Sequence, residues 1–347
     1  MGSPVLSIRG LTTEFVTPAG VVKAVNDVSW DLYPGETLGV VGESGSGKSV
    51  TAMSVLGLVP SPPGRIVAGE ILFEDRDLRT MPARELRQLR GSRIGMVFQD
   101  SMTSLNPVLT VGQQIAEALR LHDTGLGRQP ARDRTVELLG LVGVPNPEGR
   151  YDQYPHEFSG GMRQRAMIAM AIANDPAVLI ADEPTTALDV TIQAQVLEVL
   201  RAAQERTNAA TVLITHDLGL IAEHADRVVV MYGGRVVEVA DVRTVFAAPR
   251  HPYTLGLMTS LPRLDVELER LDPIPGSPPS LIDLPTGCSF HPRCRVSQGR
   301  EVCRTEVPPL YDVGGGQRSA CHFAAEVPAA MAAVTRGMVA DPGGTDR

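Results

Sequence analysis

Gly42-Glu-Ser-Gly-Ser-Gly-Lys48-Ser49 decides how this chain is read, because it fits the phosphate-cradling pattern G-x-x-x-x-G-K-[ST] with fitting neighbours on both sides. Upstream, the apolar run Thr37-Leu-Gly-Val-Val41 predicts a buried strand; downstream, Val50 to Leu58 predicts a helix. Glycines let backbone N–H groups close around phosphate oxygens, and the helix start adds roughly half a positive charge. Gly42, Glu43, Ser44, Gly45, Ser46, Gly47, Lys48 and Ser49 are therefore the expected cradle, with Lys48 reaching the outer phosphates and Ser49 ligating Mg2+.

Outward from this loop the alternation of segments sets the fold class. Val5-Leu-Ser-Ile-Arg9 and Lys23 to Trp30, broken by Thr17-Pro-Ala-Gly20, predict antiparallel strands, and Gly69-Glu-Ile-Leu-Phe73 a further one after the turn Ser61-Pro-Pro-Gly64. Ile94-Gly-Met-Val-Phe98, Ala177-Val-Leu-Ile-Ala181, Thr211-Val-Leu-Ile-Thr215 and Arg227-Val-Val-Val-Met231 predict short buried strands, with a helix from Ile192 to Arg206 between them. This predicts a mostly parallel α/β sheet with an antiparallel β subdomain and a helical insertion from Val111 to about Leu141. Beyond Pro249 the prolines at 273, 275, 278, 279 and 285 predict a loop-rich extension, and Gly337 to Arg347 has little to bury.

Composition bounds the function. The 347 residues allow one large core plus an appendage, or two modest domains. A formal net charge of −8 argues against bulk nucleic acid as partner. No apolar run approaches the roughly 18 to 20 residues that cross a bilayer, so the chain is expected to be soluble and cytosolic.

Several residues complete the chemistry of triphosphate hydrolysis. Val178-Leu-Ile-Ala181 runs into Asp182-Glu183, which sets two carboxylates at the end of a buried strand: Asp182 organises Mg2+, and Glu183 takes the proton from attacking water. Gln99 and His216 each follow an apolar strand and are expected at the same carboxyl edge, Gln99 reaching Mg2+ or water and His216 the γ-phosphate. Ser159, Gly160 and Gly161 in Phe158-Ser-Gly-Gly-Met-Arg-Gln-Arg165 precede a helical run and offer a second phosphate-facing helix start; an ordinary Ser N-cap reads the same way. Asp189 is a candidate for coupling opposing sites.

Taken together, these residues resemble the ATP-binding cassette (ABC) subunits of membrane transporters over about residues 5 to 250: Walker A at Gly42 to Ser49, Q-loop Gln99, signature Ser159 to Gly161, Walker B Asp182 with Glu183, D-loop Asp189 and H-loop His216. The resemblance implies a P-loop ATPase core at 1–99 and 177–250, a helical signature subdomain at 100–176 and an extension at 251–347. It further implies ATP and Mg2+ as ligands, head-to-tail pairing of two cassettes, and Phe15 stacking on adenine. Ser101 to Pro107 are candidates for passing motion to membrane partners.

A narrower resemblance, to the D-type ATPase subunits of oligopeptide and dipeptide importers, rests on the 158–165 segment, on His251-Pro-Tyr-Thr-Leu-Gly-Leu257, and on Gly287-Cys-Ser-Phe-His-Pro-Arg-Cys294 with Ala320-Cys-His322. It implies bacterial peptide import, with a related F-type ATPase as second cassette, two transmembrane permease subunits and an extracytoplasmic substrate-binding protein. The chain would sit at the cytoplasmic face of the inner membrane. Related importers move nickel or other small solutes, and a soluble non-transport ABC ATPase is the more distant alternative.

Cys288, Cys294, Cys303 and Cys321 cluster late in the chain as C-x5-C-x8-C-x17-C. That spacing matches neither paired zinc-ribbon nor compact ferredoxin patterns and is compatible with a metal site or with unliganded thiols. Four thiolates can close a zinc site or hold a [4Fe-4S] cluster. The family resemblance implies the iron–sulfur cluster, with zinc as the alternative.

Overall fold

The computed structural model describes residues 2–100, 104–186, 188–260 and 273–330. Its strands are β1 (Leu6–Thr17), β2 (Gly20–Leu32), β3 (Thr37–Val41), β4 (Gly64–Phe73), β5 (Arg76–Asp77), β6 (Ile94–Val97), β7 (Val178–Asp182), β8 (Ala210–Thr215), β9 (Arg227–Tyr232), β10 (Arg235–Asp241), β11 (Tyr311–Gly314) and β12 (Gln317–Ser319). They form two sheets, ordered β2-β1-β4-β5 and β11-β12-β10-β9-β3-β8-β7-β6.

The centre of the larger sheet is parallel: β9, β3, β8, β7 and β6 run the same way, with Val41 beside Thr215 and Asp182 beside Ile214. These strands are apolar on both faces because both faces are covered. Along β7, Val178 and Ile180 enter one core while Leu179 and Ala181 enter the other, the two-residue period of an extended chain. One core is shared with the antiparallel sheet, through Leu6, Ile8, Val28 and Trp30, and with the helix Lys48–Val55, through Ala52 and Val55. The other is closed by the helices Val111–His122, Gly160–Ala171, Val190–Thr207 and Leu218–His224.

Helix starts follow local chemistry. Thr110 and Gln113 form a reciprocal capping box, and Ser159, Asp189 and Asp217 each accept a backbone N–H of the first turn that follows. Such caps each contribute about 1 kcal/mol.

The expected strands and helices are present. The extension differs from the loop-rich reading in part: it carries the helices Pro252–Thr259 and Glu301–Thr305, and its hairpin β11–β12 joins the main sheet, with Ser319 beside Glu238 and Arg318 beside Val239. A three-residue strand is too short to display a period, so sequence carries no signal for it. Among the described residues no helix is long and apolar enough to cross a membrane. Of the candidate coupling stretch, residues 101–103 lie outside the described residues, as does the tail from Gly337 to Arg347.

Candidate nucleotide site

Parallel strands place everything that follows them at one edge, where open α/β sheets collect ligands. The loop after β3 carries Gly42 to Gly47, and those after β6, β7 and β8 carry Gln99, Glu183 and His216. The phosphate loop tolerates no side chain at two of its turns. A Cβ on Gly42 would stand 2.2 Å from the Met231 carbonyl oxygen, and Gly47, at φ +102°, would bring one within 2.3 Å of Ala24 O. Both positions need glycine to let the loop fold back against the neighbouring backbone.

Lys48 is buried, and its ammonium donates to the carbonyls of Gly42 at 2.7 Å and Glu43 at 3.0 Å. Burial lowers its pKa, and the carboxylates of Glu183, Asp182 and Glu43 pull it back up. Ser49 donates to Asp182 at 2.9 Å. Burial raises the Asp182 pKa and the Ser49 bond opposes this; the adjacent Glu183 adds to the rise, and Lys48 resists it. Ser49 and Asp182 thus meet where a divalent cation would be held, and Ser46 Oγ is buried without a hydrogen-bond partner. A buried orphan hydroxyl costs about 1 to 3 kcal/mol, which a phosphate oxygen would relieve. The residues fit a Mg2+-triphosphate.

Glu183 gathers the remaining polar groups. Its carboxylate accepts from Gln99 Nε2 at 3.1 Å and Thr186 Oγ1 at 2.8 Å, and His216 Nδ1 lies 3.5 Å away. The residue has φ +46°, unusual for a side-chain-bearing residue, and its N–H is anchored to Ile214 O at 2.9 Å. Backbone strain of this kind, about 1 to 3 kcal/mol, persists where the surroundings hold a side chain in place. Thr186 was not singled out in the sequence; a hydroxyl three residues after the carboxylate, across a turn, was the available signal.

The structure brings together Gly42 to Ser49, Gln99, Asp182, Glu183 and His216. It does not bring Phe15, Ser159, Gly160, Gly161 or Asp189 to them: among the described residues no hydrogen bond or ion pair links these five to that group. Ser159 caps its own helix through Met162 N–H at 3.3 Å, Asp189 caps the next through Ile192 N–H at 3.0 Å, and the Phe15 ring packs against Gly64 on β4.

The four cysteines line one small apolar cavity with Phe290, Val296 and Phe323. The Phe323 backbone N–H donates to the Cys321 sulfur at 3.4 Å. Burial nonetheless pushes Cys288 up to about 11 and Cys321 up to about 12. Among the described residues no group of three or more Cys, His, Asp or Glu is close enough to hold a metal ion. The donor set is soft and convergent but too open to close on one ion.

Comparison with known proteins agrees with this geometry. Residues 25–186 match the ABC transporter family and residues 237–303 the oligopeptide/dipeptide transporter C-terminal region. The chain is 52% identical over 290 residues to the dipeptide transport ATP-binding protein DppD of Bacillus subtilis (strain 168), covering 84% of this chain and 86% of that one. It is 48% identical over 318 residues to DppD of Escherichia coli (strain K12), covering 92% and 96%. Among solved structures, the dimeric bacterial ABC transporter cassette MJ0796 superposes with a TM-score of 0.62 at 26% identity, covering 69% of this chain and 99% of that one. Its dimeric post-hydrolysis state bound to ADP and Pi superposes with a TM-score of 0.61 at 26% identity, over the same shares. With relatives about half identical over most of both chains, this chain belongs to the ATP-binding cassette family, in the branch of the dipeptide and oligopeptide transport ATP-binding proteins.

Proposed function

We propose that this chain is the ATP-hydrolysing subunit that powers bacterial peptide import through an ABC transporter. The observation that carries the chemistry is the meeting of Lys48, the Ser49–Asp182 pair and the Gln99–Glu183–His216 group at one sheet edge. Peptide is favoured over nickel or another small solute because the relatives named above are dipeptide transport proteins and because the C-terminal region matches their family.

In this reading Lys48 and the loop N–H groups of residues 42–49 hold the phosphates. Ser49, Asp182 and Gln99 would hold Mg2+, which would supply charge neutralisation at the phosphates. Glu183 accepts a proton from water, Gln99 and Thr186 fix its carboxylate, and His216 orients the water and γ-phosphate. Phe15 stacks on adenine. A partner's Ser159 to Gly161 completes the site across a head-to-tail interface, with Asp189 linking the two sites. That pairing is supported by the separation of signature and phosphate loop within one chain and by the dimeric cassette among its structural neighbours.

The same reading divides the chain into the core at 1–99 and 177–250, the helical subdomain at 100–176 and the extension at 251–347. It places the subunit peripherally at the cytoplasmic face of the inner membrane, on two permease subunits. A substrate-binding protein delivers the solute, and an F-type ATPase is the second cassette. Cys288, Cys294, Cys303 and Cys321 hold a [4Fe-4S] cluster in preference to zinc. The support is the family resemblance of the segment that carries them and a soft set of four thiols facing one cavity.

The test is to purify the chain with its membrane subunits, reconstitute the assembly and measure ATP-dependent uptake of labelled di- and oligopeptides. Uptake that depends on this subunit is the expected result. An assembly that hydrolyses ATP but moves only metal ions or other small solutes would reassign the cargo.

A further inference from the structure

Glu43 is an acidic residue in a loop built to hold a polyanion. An unpaired carboxylate there would repel phosphate, so its surroundings matter. Arg293 reaches it across 250 positions in sequence and forms two parallel bonds, Nη1 to Oε2 at 2.7 Å and Nη2 to Oε1 at 3.0 Å. The Arg293 side chain is 6% exposed, against 25% for Glu43. Its guanidinium is itself seated: Nε donates to Pro275 O at 2.8 Å, Nη1 to Tyr232 Oη at 3.3 Å and Nη2 to Gly276 O at 3.5 Å. The other end of Glu43 is also taken from the extension, its N–H donating to Tyr253 Oη at 2.7 Å. Tyr232, Tyr253 and Phe290 pack ring on ring behind these bonds. Glu43 O in turn accepts from Lys48 Nζ at 3.0 Å and from Ser46 N–H at 3.1 Å. One residue therefore connects the cysteine-bearing segment to the loop's lysine.

We propose that Arg293 is a positioning residue of the nucleotide site: it neutralises and clamps Glu43, and so holds the phosphate loop ready for ATP. This rests on the nucleotide-binding reading of residues 42–49. A forked guanidinium suits the task because two parallel bonds fix both the direction and the distance of a carboxylate. Lysine, a point charge, would neutralise Glu43 without fixing it. The role reaches ATP through Glu43, and this distinguishes it from a general contribution to packing the extension.

The experiment measures MgATP affinity with a fluorescent ATP analogue on the full chain, and KM and kcat for ATP in the reconstituted assembly, for Arg293→Ala, Arg293→Lys, Glu43→Gln and the Arg293→Ala/Glu43→Gln pair. Arg293→Ala is expected to weaken binding about ten-fold or more, the scale of losing charge-assisted bonds, with KM moving more than kcat. Arg293→Lys should fall between. Adding Glu43→Gln to Arg293→Ala should recover most of the loss, because the uncompensated carboxylate is then gone. Wild-type affinity in Arg293→Ala, or a loss that Glu43→Gln leaves untouched, overturns the proposal. If Arg293→Ala does not fold, Arg293→Gln takes its place in the cycle, with the same recovery expected and the same two results overturning the proposal. A wild-type chain that binds no MgATP defeats the nucleotide reading itself, a result distinct from either.

Discussion

Lowering the pH should loosen the extension through His251. This ring is 1% exposed and caps the helix Pro252–Thr259, Nδ1 accepting from Tyr253 N–H at 3.1 Å. It is neutral in the folded chain, with burial holding its pKa down to about 3 against an ordinary 6.5. Above the unfolded value neither state binds the proton and the ring has no effect on stability through pH. As pH falls through it, only unfolded chains are protonated, so stability drops by about 1.4 kcal/mol per pH unit, reaching about 2 kcal/mol at pH 5. The drop continues until the folded ring itself titrates. Buried Glu238, which accepts the His251 backbone N–H at 3.0 Å, works in the opposite sense: burial raises its pKa, so protonation at low pH favours the folded chain. Comparing two proteins that both carry Glu238 cancels its contribution. His251→Asn keeps a helix cap and cannot titrate. Urea unfolding followed by circular dichroism at pH 8 and pH 5 should show the variant less stable than wild type at pH 8, with the gap narrowed by about 2 kcal/mol at pH 5. Equal losses in both proteins would refute the assignment of a buried neutral ring.

Glu183→Gln should keep ATP binding, stabilise the closed cassette pair and lower turnover in the assembled complex by about two to four powers of ten, measured as phosphate release; unchanged turnover removes Glu183 as the base. Gly47→Ala should destabilise the phosphate loop by about 1 to 3 kcal/mol through its positive φ alone, and the 2.3 Å approach to Ala24 O adds to this; wild-type nucleotide affinity and melting temperature in that variant would contradict the loop geometry. Anaerobically purified protein should absorb visible light and carry about four irons per chain, with both lost in Cys303→Ser; a colourless protein with stoichiometric zinc rejects the cluster.

Most of the fold was legible because its signals are local. Thr37 to Val41, Val178 to Asp182 and Thr211 to Thr215 are short runs apolar on both faces, and a turn or helix signal bounds each one. A parallel sheet then forces the residues after those strands to one edge, which is why Gln99, Glu183 and His216 could be placed together from pattern alone. The extension was harder. β12 spans three residues, and its partner β10 lies 76 positions or more upstream, so neither period nor proximity announces the pairing. Thr186 is illegible in sequence for a different reason: a threonine after a carboxylate is common, and only the turn brings its hydroxyl within 2.8 Å of Glu183.

Sequence by itself determined the phosphate loop, the order of strand, loop and helix around it, the two carboxylates closing β7, and the kinship those residues carry. All of these reside within a few consecutive positions, where backbone geometry ties pattern to shape. Tertiary structure alone decided that the cysteine-bearing segment folds back onto the loop and that Arg293, placed among the cysteines, takes the charge of Glu43. The same holds for the four thiols facing one cavity. An ion pair between residues 43 and 293 depends on where a long chain returns in space, and that is settled by the packing of Tyr232, Tyr253 and Phe290 rather than by any neighbouring residue.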